Sequence, residues 1–409
     1  MFGDWKVAAA STIQVGTQGA AVDTLAREGT VESPAVTISI ARDLAEITED
    51  WRKLEPIEIE SPGQSLAFAD EWLGTVGAGA EQFHILASLG GVPVMLLPLM
   101  VMRPFGLTVL TWLFGRHVGC NAPLIDSARL AAATDVQLAA MWRGVRNAVK
   151  GVDLLYLPFT PVGCPGLDRL FGAVGHSITG ETLYRTQFKS FAECEATQRN
   201  RSRRKHDKQH AQKLAAKGEV SFEELKSGDD IELALGTMFE QRAARFQAQG
   251  ICNPFAAQEV RDFYGRVFAG GGDLKGVMHV LRLDGEVIAT RYNLVKGDRM
   301  FCLISSMSDD PALQAGAPGK HCLVNVMQTV FDQGYTMFDM GAGLTDEKRQ
   351  WCNVQIPLEH RYLPLTLRGR IASAAHRGFV KLRRTIKEHE KSYELVRKWR
   401  QFRIRMFGS

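Results

Sequence analysis

The segment "SMSDDPALQAGAPGKHCLVNVMQTVFDQGYTMFDMG", residues 306–341, decides the expected fold. A glycine-containing loop comes first, and "YTMFDMG" at the end predicts a short strand. Between them, apolar residues at helical spacing predict a helix that ends at Gly334. A strand, helix, strand order makes the two strands parallel. We expect this pair to splay and to open a crevice beside the helix N-terminus. The apolar positions are Leu323, Val324, Met327, Val330 and Phe331.

Upstream of this loop, residues 278–307 predict a meander of three antiparallel strands. Two turns separate the strands, at Asp284-Gly285 and at Lys296-Gly297-Asp298. Glycine at these positions fits tight hairpins because it accepts a positive φ. A mostly antiparallel sheet with a parallel edge, flanked by helices, indicates the α+β class.

Two hairpins of the chain resemble each other. "HILASLGGVPVMLLPL" begins at His84 and "HVLRLDGEVIATRYNL" begins at His279, and both contain a turn glycine within a similar apolar pattern. The similarity predicts an internal duplication. The alternative is a chance match between two hairpins.

Length and composition suggest how the chain is divided. A chain of 409 residues is too long for one ordinary core. We expect a disordered segment at residues 1–35, a first domain at 36–190, a second at 191–368 and a basic amphipathic helical tail at 369–409. The net charge of +4 is too small to indicate nucleic-acid binding by itself.

Cysteine usage and hydropathy indicate a cytoplasmic protein. The seven cysteines never form a C-x-x-C pair, which argues against a disulfide framework and a structural zinc site. Residues 1–19 lack the apolar core of a signal peptide, and the most apolar run, 92–101, spans about half a bilayer. His206 and His210 have the spacing of a metal pair, but basic residues surround them and no catalytic Glu follows. We therefore expect no metal.

Three stretches carry a family resemblance: "RNRSRRKHDKQHAQKLAAKGEVSFEEL" from residue 199, "MFEQRAARFQAQG" from residue 238 and "FDMGAGLTDEKRQW" from residue 338. With the loop and helix at 306–341, they resemble the GNAT acyltransferase superfamily. Within it, they resemble the tandem-domain acetyltransferase-like family associated with bacterial cellulose and exopolysaccharide biosynthesis, which is related in fold to the Fem peptidyltransferases. The resemblance implies two tandem GNAT-like domains, each a mixed, mostly antiparallel sheet with flanking helices.

The resemblance also implies a donor site for acetyl-coenzyme A or another acyl-coenzyme A. In the superfamily, the loop and the helix N-terminus hold the pyrophosphate, and a helix N-terminus favours anions. The matching residues here are Gln314, Gly316, Ala317, Gly319 and Lys320. Ala317 departs from the superfamily pattern, which has glycine there. The alternative is an ordinary strand-to-helix turn.

Acyl transfer to an amine needs a base for the ammonium and a proton donor for the leaving thiolate. We expect Asp339 as the base, although capping the following glycine turn is an equal alternative. Tyr292 is the expected proton donor, and a core position is its alternative. Substrate contacts are expected from residues near the crevice or in the family's late signature: Arg242, Ser306, Lys348 and Trp351.

Two basic segments indicate anionic partners. Residues 199–217 carry eight Lys or Arg against Asp207 alone, which predicts either a solvated helix face or a surface for a nucleotide, a lipid-linked sugar diphosphate, tRNA or a membrane. The tail can lie on an anionic membrane, peripherally at the inner membrane. It can also pack on the protein body or mediate a homodimer.

We therefore expect an N-acyltransferase acting on a small-molecule or glycan amine, in cell-envelope or exopolysaccharide synthesis. The pathway comes from the resemblance alone. Two alternatives stay open: an aminoacyl-tRNA-dependent transferase, and a non-catalytic accessory protein of polysaccharide synthesis.

Overall fold

The computed structural model describes residues 13–14 and 35–388, apart from residues 57, 165, 173 and 229. The expected disorder of residues 1–35 therefore falls almost entirely outside the described residues. So do residues 389–409 of the expected tail. Among the described helices, none has both the length and the apolar character needed to cross a bilayer.

The strands form one continuous sheet, and the predicted α+β class is confirmed. The strands are β1 Ile13–Gln14, β2 Val36–Ala41, β3 Gln82–Leu89, β4 Val92–Met102, β5 Val109–Trp112, β6 Leu124–Ile125, β7 Leu154–Pro161, β8 His176–Gln187, β9 Val220–Leu225, β10 Lys275–Leu283, β11 Glu286–Lys296, β12 Arg299–Met307, β13 Met337–Ala342 and β14 Val354–Pro364. Their order in the sheet is β1-β2-β3-β4-β5-β7-β14-β8-β13-β12-β11-β10-β9, with β6 paired to β4. The predicted meander corresponds to β10, β11 and β12.

Helices cover both faces of this sheet. They are α1 Thr48–Leu54, α2 Leu66–Leu73, α3 Ser127–Ala132, α4 Asp135–Ala148, α5 Leu167–Gly172, α6 Phe191–Gln198, α7 Arg201–Ala215, α8 Asp230–Gln249, α9 Gln258–Ala269, α10 Pro318–Asp332, α11 Asp346–Trp351 and α12 Leu367–Glu388. The helix predicted after the glycine loop is α10, and its apolar face is buried at Leu323, Met327 and Val330.

The sheet contains two equivalent halves. In the first lobe, β2, β3 and β4 are antiparallel and β5 pairs parallel with β7. In the second lobe, β9, β10 and β11 are antiparallel and β12 pairs parallel with β13. His84 and His279 are fully buried on the corresponding strands β3 and β10. This correspondence supports the predicted duplication.

The lobes exchange strands where they meet. β8 precedes the second lobe in sequence but pairs with β13, whereas β14 comes last and pairs with β7 of the first lobe. β8 and β14 also pair with each other, which makes the sheet continuous. One hydrophobic cluster includes Trp51 and Phe68 from the first half of the chain and Phe263 from the second. The two lobes therefore share a core.

The parallel pair β12–β13 is short. Its register runs only from Arg299 opposite Met337 to Phe301 opposite Asp339. Beyond these residues each strand continues without pairing to the other, so the predicted splay is present. The cavity described next lies at this splay.

Candidate active site

A cavity of about 330 Å³ lies at the splay and is lined by both lobes. We call it the central cavity. The second lobe contributes Cys302, Leu303, Met340, Gly341, Ala342, Lys348, Phe255 and Tyr264. The first lobe and β8 contribute Arg116, His117, Val118, Gly119, Phe159 and Glu181.

A tyrosine and a histidine from different lobes meet at this cavity. The Tyr264 hydroxyl lies 3.4 Å from His117 Nδ1. Burial raises the pKa of Tyr264, which keeps its hydroxyl protonated. Burial lowers the pKa of His117, so the ring is neutral at neutral pH and can accept a hydrogen bond. The pair is thus a proton donor held by a neutral imidazole.

Glu181 is the carboxylate that lines the central cavity. It lies on β8, the strand that the first half of the chain adds to the second lobe. A Cβ built at Gly343 would lie 3.9 Å from Glu181 Oε2, which places the carboxylate beside the turn after β13. A carboxylate there is suitably placed to take a proton from an amine bound in the cavity.

Lys348 lines the cavity, but its ammonium is fully hydrogen-bonded. Nζ donates to the carbonyls of Gly341, Ala342 and Gly343 at 3.0, 2.7 and 2.9 Å. Burial lowers the pKa of Lys348. An ammonium has three donors, and all three are used here. Lys348 therefore fixes the turn after β13, and its predicted substrate contact stays a prediction.

Asp339, the expected base, is buried in an ion pair beneath the cavity. Its Oδ2 accepts from Arg185 Nε at 2.8 Å and its Oδ1 accepts from the Gly341 N–H at 2.7 Å. Arg185 also pairs with Glu60 of the first lobe. Asp339 itself is not among the residues that line the cavity. Its turn-capping alternative is thus present in the structure, and its catalytic role stays a prediction.

Tyr292, the expected proton donor, lies in the shared core. It is fully buried, its hydroxyl donates to the Tyr264 carbonyl at 2.8 Å, and the two rings pack edge to face at 5.5 Å. The tyrosine that lines the cavity is Tyr264, and Tyr292 supports it from behind. The sequence pattern alone could not distinguish the two, because Tyr264 on α9 and Tyr292 on β11 both lie among apolar residues that indicate a core position.

The other expected substrate residues lie outside the central cavity. Ser306 Oγ donates to Gln241 Oε1 at 2.6 Å. Arg242 stacks on Phe246, and its buried Nε has no hydrogen-bond partner among the described residues. Trp351 is buried under the Arg199 guanidinium, which lies 4.5 Å from its ring centroid. Their roles in substrate binding stay predictions.

The glycines of the loop before α10 are closely packed against neighbouring side chains. A Cβ at Gly316 would lie 3.0 Å from the Leu214 side chain of α7. A Cβ at Gly319 would lie 2.9 Å from Met307 Sδ. α7 therefore packs directly on the loop, and His210 Nδ1 lies 2.8 Å from the Ala315 carbonyl oxygen.

The backbone of this loop fits a phosphate only in part. The N–H groups of Lys320 and His321 both donate to the Ala317 carbonyl, and Pro318 has no N–H. The Gly319 N–H is the amide of this turn that has no partner within the described chain. Ala317 has a φ of +43°, a strained conformation for a residue with a Cβ. Backbone strain of this kind occurs at ligand sites. The Gly319 N–H and the Lys320 ammonium are the groups of this loop that could bind a phosphate.

A groove of about 230 Å³ lies beside this turn, between α7 and α10. We call it the basic groove. Arg204 and Lys208 of α7 and Lys320 of α10 line it, and none has a carboxylate within 4 Å among the described residues. The acid of α7, Asp207, is already paired with Arg199. The groove therefore favours an anion.

Sequence reasoning missed His117, Tyr264 and Glu181. Tyr264 lies in an amphipathic helix, where an aromatic residue is expected to be core. His117 follows β5 of the first lobe, at the place that the glycine loop occupies after β12 of the second. The predicted duplication was therefore the signal that could have located His117. No sequence pattern identified Glu181 as a site residue, because it reaches the cavity only through the pairing of β8 with β13.

Residues 201–349 match the family described as acetyltransferase (GNAT) domain. A search of curated protein sequences returns no match. The solved structure of FemX is similar with a TM-score of 0.52 at 12% identity, over 76% of this chain and 94% of that chain. The tandem GNAT protein from the clavulanic acid biosynthesis pathway has a TM-score of 0.44 at 13% identity, over 80% and 99%. L-PGS from Bacillus licheniformis has a TM-score of 0.46 at 10% identity, over 80% and 98%.

These similarities concern the fold. Residues 201–349 are similar to a GNAT acetyltransferase domain. The two lobes, each with antiparallel strands and one parallel pair, agree with the predicted tandem arrangement. The family assigned to residues 201–349 supports an acyltransferase, and GNAT domains generally use acyl-coenzyme A. The comparisons do not show an association with cellulose or exopolysaccharide.

Proposed function

We propose that this chain is an N-acyltransferase that moves an acyl group from acyl-coenzyme A to an amine in the central cavity. The observation that carries the proposal is the splay of β12 and β13, which opens onto the Tyr264–His117 pair and Glu181. A proton donor, a carboxylate and unpaired strand edges are the elements that acyl transfer needs.

The donor lies along β12 in this proposal. Beyond Phe301 the edge of β12 that faces β13 is free, so the pantetheine arm can follow it into the cavity. The phosphates contact the Gly319 N–H and Lys320, and the basic groove takes the remaining charge through Arg204 and Lys208. In this placement, the nearly all-polar surface of α7 serves to bind the phosphates of the donor.

The reaction uses this chain's own groups. The amine nitrogen attacks the thioester carbonyl carbon, a C–N bond forms and the C–S bond breaks. Glu181 takes the proton that the amine loses, and the Tyr264 hydroxyl gives a proton to the departing thiolate. Water then returns the proton from Glu181 to Tyr264, so both groups regain their starting state.

Calorimetric titration tests donor binding. Acetyl-coenzyme A, a longer acyl-coenzyme A and free coenzyme A are titrated into the full chain and into Gly319→Glu. We expect micromolar binding that the variant loses, because a carboxylate at Gly319 repels phosphate. Absence of binding by every thioester would refute the proposal.

Aminoacyl-tRNA is the second donor candidate, and exposed cations of α7 favour it. Arg201, Lys205 and Lys213 point to solvent without an ion-pair partner among the described residues. If tRNA is the donor, its binding weakens steeply with salt and acyl-coenzyme A does not bind. If neither binds, the accessory role in polysaccharide synthesis is the remaining hypothesis, and it rests on the resemblance alone.

We also propose a peripheral membrane contact through α12. Leu367, Ile371, Phe379 and Leu382 are each exposed by 59% or more, and the adjacent Phe105 is fully exposed. Arg368 holds the Phe105 turn through the Gly106 carbonyl at 2.6 Å. Helix α12 carries seven Lys or Arg against one Glu, which suits an anionic lipid surface. A homodimer through this face would bring two basic flanks together.

A further inference from the structure

A second cavity, of about 300 Å³, lies between α12 and the strands β7, β8 and β14. Arg116, Phe159 and Glu181 line both this cavity and the central cavity. The two cavities are therefore neighbours, and a ligand in the second one can present a group to the first.

The second cavity is basic. Arg116, Arg383 and Arg384 line it together with His360 and His376, and Glu181 is the acid among its lining residues. Arg116 and Arg383 have no carboxylate within 4 Å among the described residues. Several guanidinium groups around one space favour a multiply charged anion, because each can bind two oxygens.

The histidines are held in fixed positions. The Tyr156 hydroxyl lies 2.8 Å from His360 Nδ1, and the Tyr362 hydroxyl lies 2.8 Å from His376 Nδ1. Burial and, to a smaller extent, the nearby His376 lower the pKa of His360 to about 4. The His360 ring is therefore neutral at neutral pH, and the cations around it disfavour its protonation. A bound anion would favour its protonation.

The wall between the two cavities is strained. Phe159 has a φ of +58°, which is rare for a bulky residue. Its ring lies 5.1 Å from the Arg116 guanidinium and 5.1 Å from His360. Backbone strain of this kind persists where surrounding contacts fix it, and it is concentrated at functional sites.

We infer that the second cavity binds a phosphate or diphosphate group of the amine acceptor and so directs the amine into the central cavity. The inference rests on the proposed function for the identity of the acceptor. The phosphate site itself is a separate property of these residues.

The test is calorimetric titration of inorganic pyrophosphate into the full chain, with citrate as a carboxylate probe. Arg116→Gln and Arg383→Gln remove the two unpaired guanidinium groups. Arg370→Gln is the matched control, because Arg370 is exposed on α12 and does not line the cavity. We expect each cavity variant to weaken pyrophosphate binding by about 10-fold or more, since hydrogen bonds between charged groups contribute that much. The control should bind as the unaltered chain does.

Two further measurements separate this inference from the proposed function. NMR of the histidine rings should show the pKa of His360 rising when pyrophosphate is added. Gly319→Glu should lose acyl-coenzyme A binding and keep pyrophosphate binding. If pyrophosphate binds and acyl-coenzyme A does not, the inferred phosphate site is supported and the proposed acyltransferase activity is refuted. Equal affinity in all variants, tighter citrate binding or no pyrophosphate binding would overturn the inference.

Discussion

The Tyr264 hydroxyl lies 3.4 Å from Nδ1 of His117, and this contact joins a helix of one lobe to a loop of the other across the central cavity. The two residues are 147 positions apart in the chain. Only the docking of the lobes brings them together, so this pair of residues forms only in the folded protein.

We expect Tyr264→Phe to lower kcat by about 100-fold or more, since general acid catalysis contributes 10²–10⁴. Donor binding should be unchanged, because the phosphate contacts lie elsewhere. Tyr292→Phe is the matched control and should cost about 1 kcal/mol of stability through its lost hydrogen bond to the Tyr264 carbonyl. Single-turnover kinetics measures the loss of rate, and urea unfolding measures the change in the free energy of unfolding. If Tyr292→Phe lowers kcat more than Tyr264→Phe does, Tyr292 is the proton donor, as the sequence predicts.

Asp339→Asn should destabilise the protein by about 3 kcal/mol, because Arg185 would lose the more buried of its two carboxylate partners and keep only Glu60. Urea unfolding measures this change. The exposed pair of Lys53 and Asp50 provides the control, and Asp50→Asn should have a small effect. If Asp339→Asn abolishes turnover while stability is unchanged, Asp339 is the base and Glu181 is not.

Glu181→Gln tests the other carboxylate. We expect turnover to fall by about 100-fold or more, because the amine would lose its proton acceptor. Acyl-coenzyme A binding, measured by calorimetry, should be kept. Full activity in this variant would contradict the assignment.

Stability should fall as the pH decreases from about 6.5 to 4, and His84 should account for part of the loss. Burial lowers the pKa of His84 to about 4. The unfolded chain binds this proton near pH 6.5, so stability is present above that pH and is lost toward pH 4, by about 3 kcal/mol. His84→Leu should flatten this pH dependence in urea unfolding.

Ile371→Asp and Phe105→Asp should each weaken binding to vesicles of anionic lipid, because both residues are exposed apolar groups next to basic side chains. Co-sedimentation with anionic and with neutral vesicles measures this effect. Val136→Asp removes an equally exposed apolar side chain from α4, outside this face, and should bind normally. Concentration-dependent dimerisation without vesicle binding would assign the face to a second copy.

The local elements of this protein follow from its amino-acid sequence. The alternation of apolar residues, the turn glycines and the helix pattern are sufficient for the meander, for α10 and for the parallel strand after it. The similarity of the two hairpins also indicated the repeat. These features depend on residues close in sequence, where backbone preferences and burial act directly.

The composition of the site depends on contacts between residues that are far apart in the chain. The sequence predicts Asp339 at the end of a strand, whereas it lies inside β13. Its partner Arg185 is 154 residues away and holds it in a buried ion pair. Glu181 reaches the cavity because β8 pairs with β13, a contact without any local signal. Gly316 and Gly319 are predicted as phosphate contacts, and the structure shows that they also pack closely against Leu214 and Met307. Long-range packing assigned these roles, because charge pairing and close contact depend on distance in space and not on position in the chain.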